Sequence, residues 1–167
     1  METERKFLVK VLPNLDKEMF KELVQAYLCF NPEVRIRSMN NEKFYLAQKT
    51  EGDLIRGEIE PEIDATSFQI LLNLAQGRII NKTRFYLPGN NGLVSELDIY
   101  HGELEGLITV ETEFKSVDDA NNFEIPAWYG KEITYDKRYK NKNLARCSEE
   151  ELRSLLTESI GTARIRK

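Results

Sequence analysis

The stretch Met1-Glu2-Thr3-Glu4-Arg5-Lys6 places two carboxylates and one ammonium at alternate positions. In an extended strand, alternate side chains share one face, so Glu2, Glu4 and Lys6 project together. Like charges one step apart repel each other unless water or bound cations lie between them. The stretch therefore predicts a strand whose polar face either meets solvent or encloses metal.

The same alternation recurs along the chain, and the sign of the charge changes from one candidate strand to the next. Residues of the opposite parity, such as Ile36, Leu97 and Phe114, are largely apolar or β-branched. Each of these strands therefore has one face for a core and one face for ions. The charged positions are Arg35 and Arg37, Lys49, Glu58 and Glu60, Lys82 and Arg84, Glu96 and Asp98, and Glu111 and Glu113.

A half-exposed antiparallel sheet would show the same alternation, with solvated charges on its outer surface. However, such a surface has no reason to separate its charges into all-acidic and all-basic pairs. A site that holds both cations and a polyanion requires such a separation of acidic from basic pairs. Closing the sheet into a barrel would place the charged faces inside and the apolar faces outside, under helices.

The opening stretch matches the ExExK signature of the CYTH superfamily, the triphosphate tunnel metalloenzymes, and the later pairs follow in the order which that family uses. The match runs from Met1 to about Ala145. It also includes the segments Gln25-Ala26-Tyr27-Leu28, Glu96-Leu97-Asp98-Ile99-Tyr100, Glu111-Thr112-Glu113-Phe114, Trp128-Tyr129-Gly130-Lys131-Glu132-Ile133-Thr134 and Asp136-Lys137-Arg138-Tyr139. The chain thus resembles a short bacterial-type inorganic triphosphatase of this superfamily.

The resemblance implies an α+β fold: a closed eight-stranded antiparallel β-barrel, the triphosphate tunnel, with covering helices. Residues 1–167 are expected to form a single CYTH domain, in which 148–167 make a C-terminal helix and a basic tail. The sequence predicts that Asn14 or Asp16 caps a helix reaching about Glu22, and that Asp64 caps another ending at Gly77. Ser148 and Glu151 have the capping-box spacing, and Asn90-Asn91-Gly92 is typical of a hairpin turn.

Composition excludes several classes of protein. The formal net charge is −4 with 31% charged residues, so general attraction to nucleic acid is not expected. Cys29 and Cys147 lack zinc-site spacing and predict free thiols, and His101 stands alone, which disfavours a nucleophilic triad. No apolar run reaches membrane-spanning length, and the N-terminal residues are charged. We expect a cytoplasmic monomer or homodimer with a small-molecule triphosphate as its partner.

The charged positions also predict their own chemistry. Arginine forks and lysine ammonium groups suit phosphate oxygens, so we assign substrate binding to the basic set. Its members are Lys6, Arg35, Arg37, Lys49, Lys82 and Arg84. The acids outnumber these bases, and two divalent ions would reverse the sign of the site so that it accepts a triphosphate. Mg²⁺ or Mn²⁺, as two ions, is the expected cofactor.

The resemblance implies metal binding by Glu2, Glu4 and Glu113, with Glu111 and Asp98 as further candidates. Glu58, Glu60 and Glu96, together with Lys6, are the catalytic candidates. The three carboxylates could instead hold metal, orient the attacking water or only fix basic side chains through buried ion pairs. Tyr27 and Lys137 could contact substrate or pack.

The expected function is metal-dependent hydrolysis of inorganic tripolyphosphate to diphosphate and phosphate. Class IV adenylate cyclase, which makes cyclic AMP and diphosphate from ATP, is the principal alternative, followed by a thiamine or nucleoside triphosphatase. A non-catalytic polyphosphate-binding module would keep the basic pairs but could lose the carboxylates. No obvious aromatic platform for a base or heterocycle is evident in the sequence, which favours the inorganic substrate.

Overall fold

The computed structural model describes residues 3–49 and 58–160, without the side chains of residues 58 and 160. Glu2 and the tail 161–167 lie outside the described residues. Among the helices in the described part of the chain, none combines the length and the apolarity that crossing a membrane requires.

Strands dominate the fold because alternating side chains give most segments one apolar and one polar face. The strands are β1 (Thr3–Val9), β2 (Met19–Cys29), β3 (Val34–Met39), β4 (Lys43–Lys49), β5 (Glu58–Ile59), β6 (Glu62–Ile63), β7 (Gln76–Pro88), β8 (Val94–His101), β9 (Ile108–Phe114) and β10 (Tyr129–Glu132). The helices are α1 (Ala65–Leu72), α2 (Val117–Asn121), α3 (Asn141–Arg146) and α4 (Glu149–Ile160). Short 3₁₀ turns occupy Asn90–Gly92, Gly102–Leu104 and Lys137–Tyr139.

All the strand pairs are antiparallel, and the order across the sheet is β10-β1-β9-β8-β7-β2-β3-β4-β5, with β6 also paired to β4. The predicted antiparallel sheet with helices is confirmed. The described pairings form an open path rather than a closed ring, and this path has more strands than the eight that we expected.

The face of the sheet that carries the apolar residues is covered in two places. Phe7, Leu97 and Val110, from β1, β8 and β9, pack with Tyr129 and the partly buried Trp128. At the other side of the sheet, β2, β3 and β4 pack against α1, whose Phe68 is buried. Helix α1 thus lies over the apolar face of the sheet.

The predicted helix from Asn14 or Asp16 to Glu22 is wrong, because Met19–Cys29 is one long strand. Leu15, Met19, Phe20 and Leu23 would make a helical stripe, but Met19 and Phe20 are 75% and 54% exposed. Strand β2 lies in the sheet between β3 and β7 and pairs with both along most of its length. This tertiary pairing overrides the local helical pattern.

The predicted caps and the hairpin turn agree with the structure, whereas the predicted helix end at Gly77 is wrong. Asp64 accepts a hydrogen bond from the backbone N–H of Ser67 at 2.6 Å and caps α1. The helix ends at Leu72, before Gly77, which lies in β7. Ser148 and Glu151 form the capping box of α4, and the Asn90–Gly92 turn joins β7 to β8.

Gly77 marks a close contact between β7 and α3. Its φ is +70°, a conformation that favours glycine, and a Cβ added there would lie 2.3 Å from the carbonyl oxygen of Ala145. The guanidinium of Arg78 also donates to the carbonyls of Leu144 and Cys147, at 3.2 and 2.6 Å. The end of α3 is therefore held against the start of β7.

Candidate functional site

Cross-strand register places the predicted charged residues on one face of the sheet, since side chains directly opposite each other share a face. Lys6 is opposite Glu111, which is opposite Glu96. Arg84 is opposite Asp98, and further along the sheet Gln25 is opposite Arg37. We call this surface the charged face. Its members are Glu4, Lys6, Arg35, Arg37, Lys49, Lys82, Arg84, Glu96, Asp98, Glu111 and Glu113.

The charged face is concave. In a flat sheet the spacing of about 4.8 Å between strands would put Lys6 on β1 roughly 14 Å from Lys82 on β7. Yet the charge of Lys6 contributes to the lowered pKa of Lys82. Leu8, Ile80 and Tyr100 from three different strands also meet in one apolar cluster on this face. Both observations indicate that the sheet curls toward this face.

One end of the charged face is closed by apolar residues of the C-terminal segment. The cluster of Leu8, Ile80 and Tyr100 includes Leu144 of α3 and Leu152 of α4, all of them buried. The ammonium of Lys6 donates to the carbonyl oxygen of Tyr139 at 3.2 Å, at the boundary between the charged and apolar zones. The site is therefore a trough with a dry end.

The other end is open. A cavity of about 980 Å³ lies between the Asn90–Gly92 turn and the segment 113–126, and Glu96 and Glu113 lie on its wall. The acidic part of the charged face can therefore be reached from solvent.

Glu4 and Glu111, the acidic pair, are diagonal neighbours on the adjacent strands β1 and β9. The pKa of Glu4 is raised to about 8, first because its carboxyl hydrogen-bonds to Glu111 and then because of burial and repulsion from Glu111. A proton shared by two carboxylates occupies the position where a cation would relieve the same repulsion. Hard oxygen donors of this kind suit Mg²⁺ or Mn²⁺.

The metal site is incomplete in the part of the chain that the structure describes. Residues 3–49 and 58–160 contain no group of three or more His, Cys, Asp or Glu side chains arranged to hold a metal ion. Glu2, which the sequence assigned to this site, lies outside those residues. Glu113 is directly opposite Glu4 and stands next to the acidic pair.

Asp98 is surrounded by cations. It is almost fully buried and accepts from Lys82 Nζ at 2.8 Å and from Arg84 Nε and Nη2 at 2.8 and 2.9 Å. Burial opposes its ionisation, but Lys82 and the hydrogen bonds from Arg84 outweigh it and hold the pKa of Asp98 well below its usual range. Burial also lowers the pKa of Lys82 to about 8. Arg84 Nη1 forms a further ion pair with Glu96 at 2.9 Å.

Arg37 has one hydrogen-bond donor without a partner, which indicates that its side chain binds a ligand. Its Nη2 pairs with Glu60 at 2.7 Å, and its guanidinium lies 6.0 Å from the ring centroid of Tyr45. Its Nε is buried without a hydrogen-bond partner. A buried N–H of a cation without an acceptor is costly, and an anionic oxygen would satisfy it.

The remaining predicted residues, Lys49, Glu58, Tyr27 and Lys137, have different surroundings. Lys49 lies 3.4 Å from Glu33 Oε2 and belongs to the charged face. Glu58 is opposite Lys49 in backbone register, but its side chain is outside the described part. Tyr27 is buried in the apolar cluster and accepts from the Gln25 amide, so it packs, whereas Lys137 is exposed in a 3₁₀ turn.

The sequence prediction missed three residues on the charged face. Tyr86 lies two residues after Arg84 on β7, so the alternation of side chains would have predicted it. Tyr45 is directly opposite Arg37. Lys21 is directly opposite Arg84. Its segment was assigned to a helix, so the pattern offered no signal for it.

The chain was also compared with known proteins. It is 43% identical to an inorganic triphosphatase of Nitrosomonas europaea over 148 residues, which cover 86% of this chain and 96% of the relative. It is 33% identical to an inorganic triphosphatase of Acetivibrio thermocellus, with 87% and 93% covered. No protein-family model matches the chain.

Comparison with solved structures also finds an inorganic triphosphatase. The structure is similar to a crystal structure of an inorganic triphosphatase, with a TM-score of 0.74, 38% identity and coverage of 89% of this chain and 96% of the other. The fold is also similar to that of a Hippeastrum putative adenylyl cyclase with a dominant triphosphatase activity, at a TM-score of 0.53 and 17% identity. That likeness covers 72% of this chain and 83% of the other.

Proposed function

The chain belongs to the CYTH-type inorganic triphosphatases, and on this premise we propose that it hydrolyses inorganic tripolyphosphate to diphosphate and phosphate with the help of divalent metal ions. The observation that supports this proposal most directly is the buried, unpartnered Nε of Arg37 on the concave charged face. Its donor meets no acceptor from the described protein and suits a phosphate oxygen.

The basic residues clamp the phosphate chain. The forks of Arg35, Arg37 and Arg84 donate to phosphate oxygens, while Lys82 and Lys49 contribute positive charge. Their acidic partners keep these groups in place: Glu60 holds Arg37, and Asp98 holds Lys82 and Arg84. For Asp98 we therefore propose a positioning role in place of the predicted metal ligation, since its oxygens are committed to cations.

The acidic pair, Glu4 and Glu111, with Glu2 and Glu113, would hold Mg²⁺ or Mn²⁺, as two ions. When bound, such ions neutralise charge on the phosphate oxygens and acidify a coordinated water. The protein supplies the remainder: the carboxylates orient the cations, and the apolar end of the trough keeps bulk water away from one end of the substrate.

Water attacks the terminal phosphorus, and the bond from that phosphorus to the bridging oxygen breaks. We assign Glu96 as the acceptor of the water's proton. Burial raises the pKa of Glu96, which makes its carboxylate a better base near neutral pH. Lys6, Lys82 and Arg84 offset the charge that develops on the departing diphosphate. We assign Glu58 to orienting the attacking water and Glu60 to orienting the Arg37 guanidinium.

We propose that the sheet closes into the family's tunnel, and that residues 1–167 form a single CYTH domain. The curl of the charged face supports closure. An experimental structure with the β5–β6 edge far from β10 would contradict it.

Both cysteines are free, which agrees with a cytoplasmic location. Light scattering would decide between the predicted monomer and homodimer.

The test is phosphate release from tripolyphosphate, ATP and thiamine triphosphate, measured side by side with Mg²⁺, with Mn²⁺ and with EDTA. We expect tripolyphosphate to have the highest kcat/KM and EDTA to abolish the activity. Cyclic AMP production that exceeds tripolyphosphate hydrolysis would replace this function with adenylate cyclase. Binding of tripolyphosphate without turnover would indicate a polyphosphate-binding module.

A further inference from the structure

Lys21 lies on the charged face, although no role follows for it from the predicted site. Its Cα is opposite that of Arg84 between β2 and β7, so the two side chains lie on the same face. The ammonium of Lys21 lies 5.6 Å from the ring centroid of Tyr86. Tyr86 lies two residues beyond Arg84 along β7, toward the Asn90–Gly92 turn, so the contact directs the ammonium toward the open end of the trough.

Tyr86 faces the same space as the phosphate-binding residues. It is half-buried and opposite Glu96, and the charges of Arg84, Glu96 and Arg37 all act on its hydroxyl. Burial raises the pKa of Tyr86, so its hydroxyl remains a hydrogen-bond donor. An ammonium and a neutral phenol thus lie side by side beyond Arg84.

Lys21 differs from the clamping bases in its partners. Arg37, Lys82 and Arg84 are each paired with a carboxylate. Across the described ranges, no carboxylate forms an ion pair with Lys21, whose ammonium is instead held by the ring of Tyr86. A cation–π contact leaves the other N–H donors of the ammonium directed toward solvent or a ligand.

Resting on the proposed function, we propose that Lys21 and Tyr86 form an additional phosphate subsite at the open end of the charged face. It binds the part of an inorganic polyphosphate that extends beyond the three phosphates held by the clamping bases. Both side chains are donors, which suit phosphate oxygens better than a heterocycle. The subsite therefore favours inorganic chains of four or more phosphates over nucleoside triphosphates.

The test compares tetrapolyphosphate with tripolyphosphate as substrates of Lys21→Gln. We expect KM for tetrapolyphosphate to rise about tenfold, the loss typical of one charge-assisted hydrogen bond at a partly exposed site. KM for tripolyphosphate should rise by less than about threefold, because only the screened charge of Lys21 acts on it. Lys21→Arg should restore tetrapolyphosphate binding, and Tyr86→Phe should raise its KM about threefold.

Lys17→Gln is the matched control, since it removes the same charge from an exposed loop position outside the sheet. Equal losses on both substrates, no loss, or a loss confined to ATP would each overturn the subsite. If the unmodified protein failed to hydrolyse tripolyphosphate, the proposed function would fail. Calorimetric binding of tetrapolyphosphate to the Lys21→Gln and unmodified proteins would then still test the subsite.

Discussion

Replacing Asp98 with Asn should destabilise the protein by about 3–5 kcal/mol at pH 7, the cost of breaking a buried ion pair by removing one partner. The Asp98 side chain is 3% exposed, and three bonds of 2.8–2.9 Å join it to Lys82 and Arg84. The amide keeps the shape but leaves the buried Lys82 without its anion and Arg84 with Glu96 alone. Urea unfolding with an unchanged m value measures the loss.

The penalty should also depend on pH. The pKa of Lys82 is about 8 in the folded protein and 10.5 for an ordinary exposed lysine, so between these values the unfolded state binds more protons and stability rises with pH. Loss of Asp98 lowers the folded pKa of Lys82 further, so in the variant this rise begins at lower pH. The difference in unfolding free energy between the unmodified protein and Asp98→Asn should therefore shrink as the pH rises to about 8 and stay constant above it.

Asp16→Asn, at an exposed loop position, is the control for charge removal and should change stability by less than about 0.5 kcal/mol. A penalty for Asp98→Asn below about 1 kcal/mol would refute the reasoning. A penalty that stayed the same from pH 6 to pH 9 would refute the assignment to Lys82.

Three further changes test other parts of the structure. Glu4→Gln should abolish most activity and weaken Mn²⁺ binding in calorimetry while the protein still folds; near-normal turnover at saturating metal would show that Glu4 is only a solvated residue. Arg37→Ala should lower kcat/KM at least about 100-fold for every triphosphate substrate, whereas Arg5→Ala, on the opposite face, should not; a substrate-selective loss would contradict a common phosphate contact. Gly77→Ala should destabilise by more than about 2 kcal/mol, because a Cβ meets a carbonyl of α3, whereas Gly92→Ala, with positive φ but open space, should cost about 1 kcal/mol; equal values would remove the steric argument.

The alternation of side chains was enough to predict most strands and the face on which the charges lie. It failed at Met19–Cys29, where apolar residues also fit a helical spacing. The choice there depends on pairing with β3 and β7, which are far away in the sequence. Lys21 was missed for that reason.

The sequence predicted which charged residues share one face of the sheet, but not which side chains each of them contacts. Glu4 and Asp98 are both carboxylates at alternating positions, yet Glu4 faces another acid while Asp98 is surrounded by cations. The difference arises from cross-strand register, which sets which side chain is opposite which. Register is a tertiary property, and no spacing within a single strand contains it.

The trough is assembled from strands that are far apart in the order of synthesis. Arg5 pairs with a residue 127 positions later, and Lys6 is held by one 133 positions later. At ribosomal rates of about 5–20 residues per second, the first strand waits on the order of ten seconds for these partners. The proposed metal site around Glu4 can therefore form only after these later strands and turns have been synthesised.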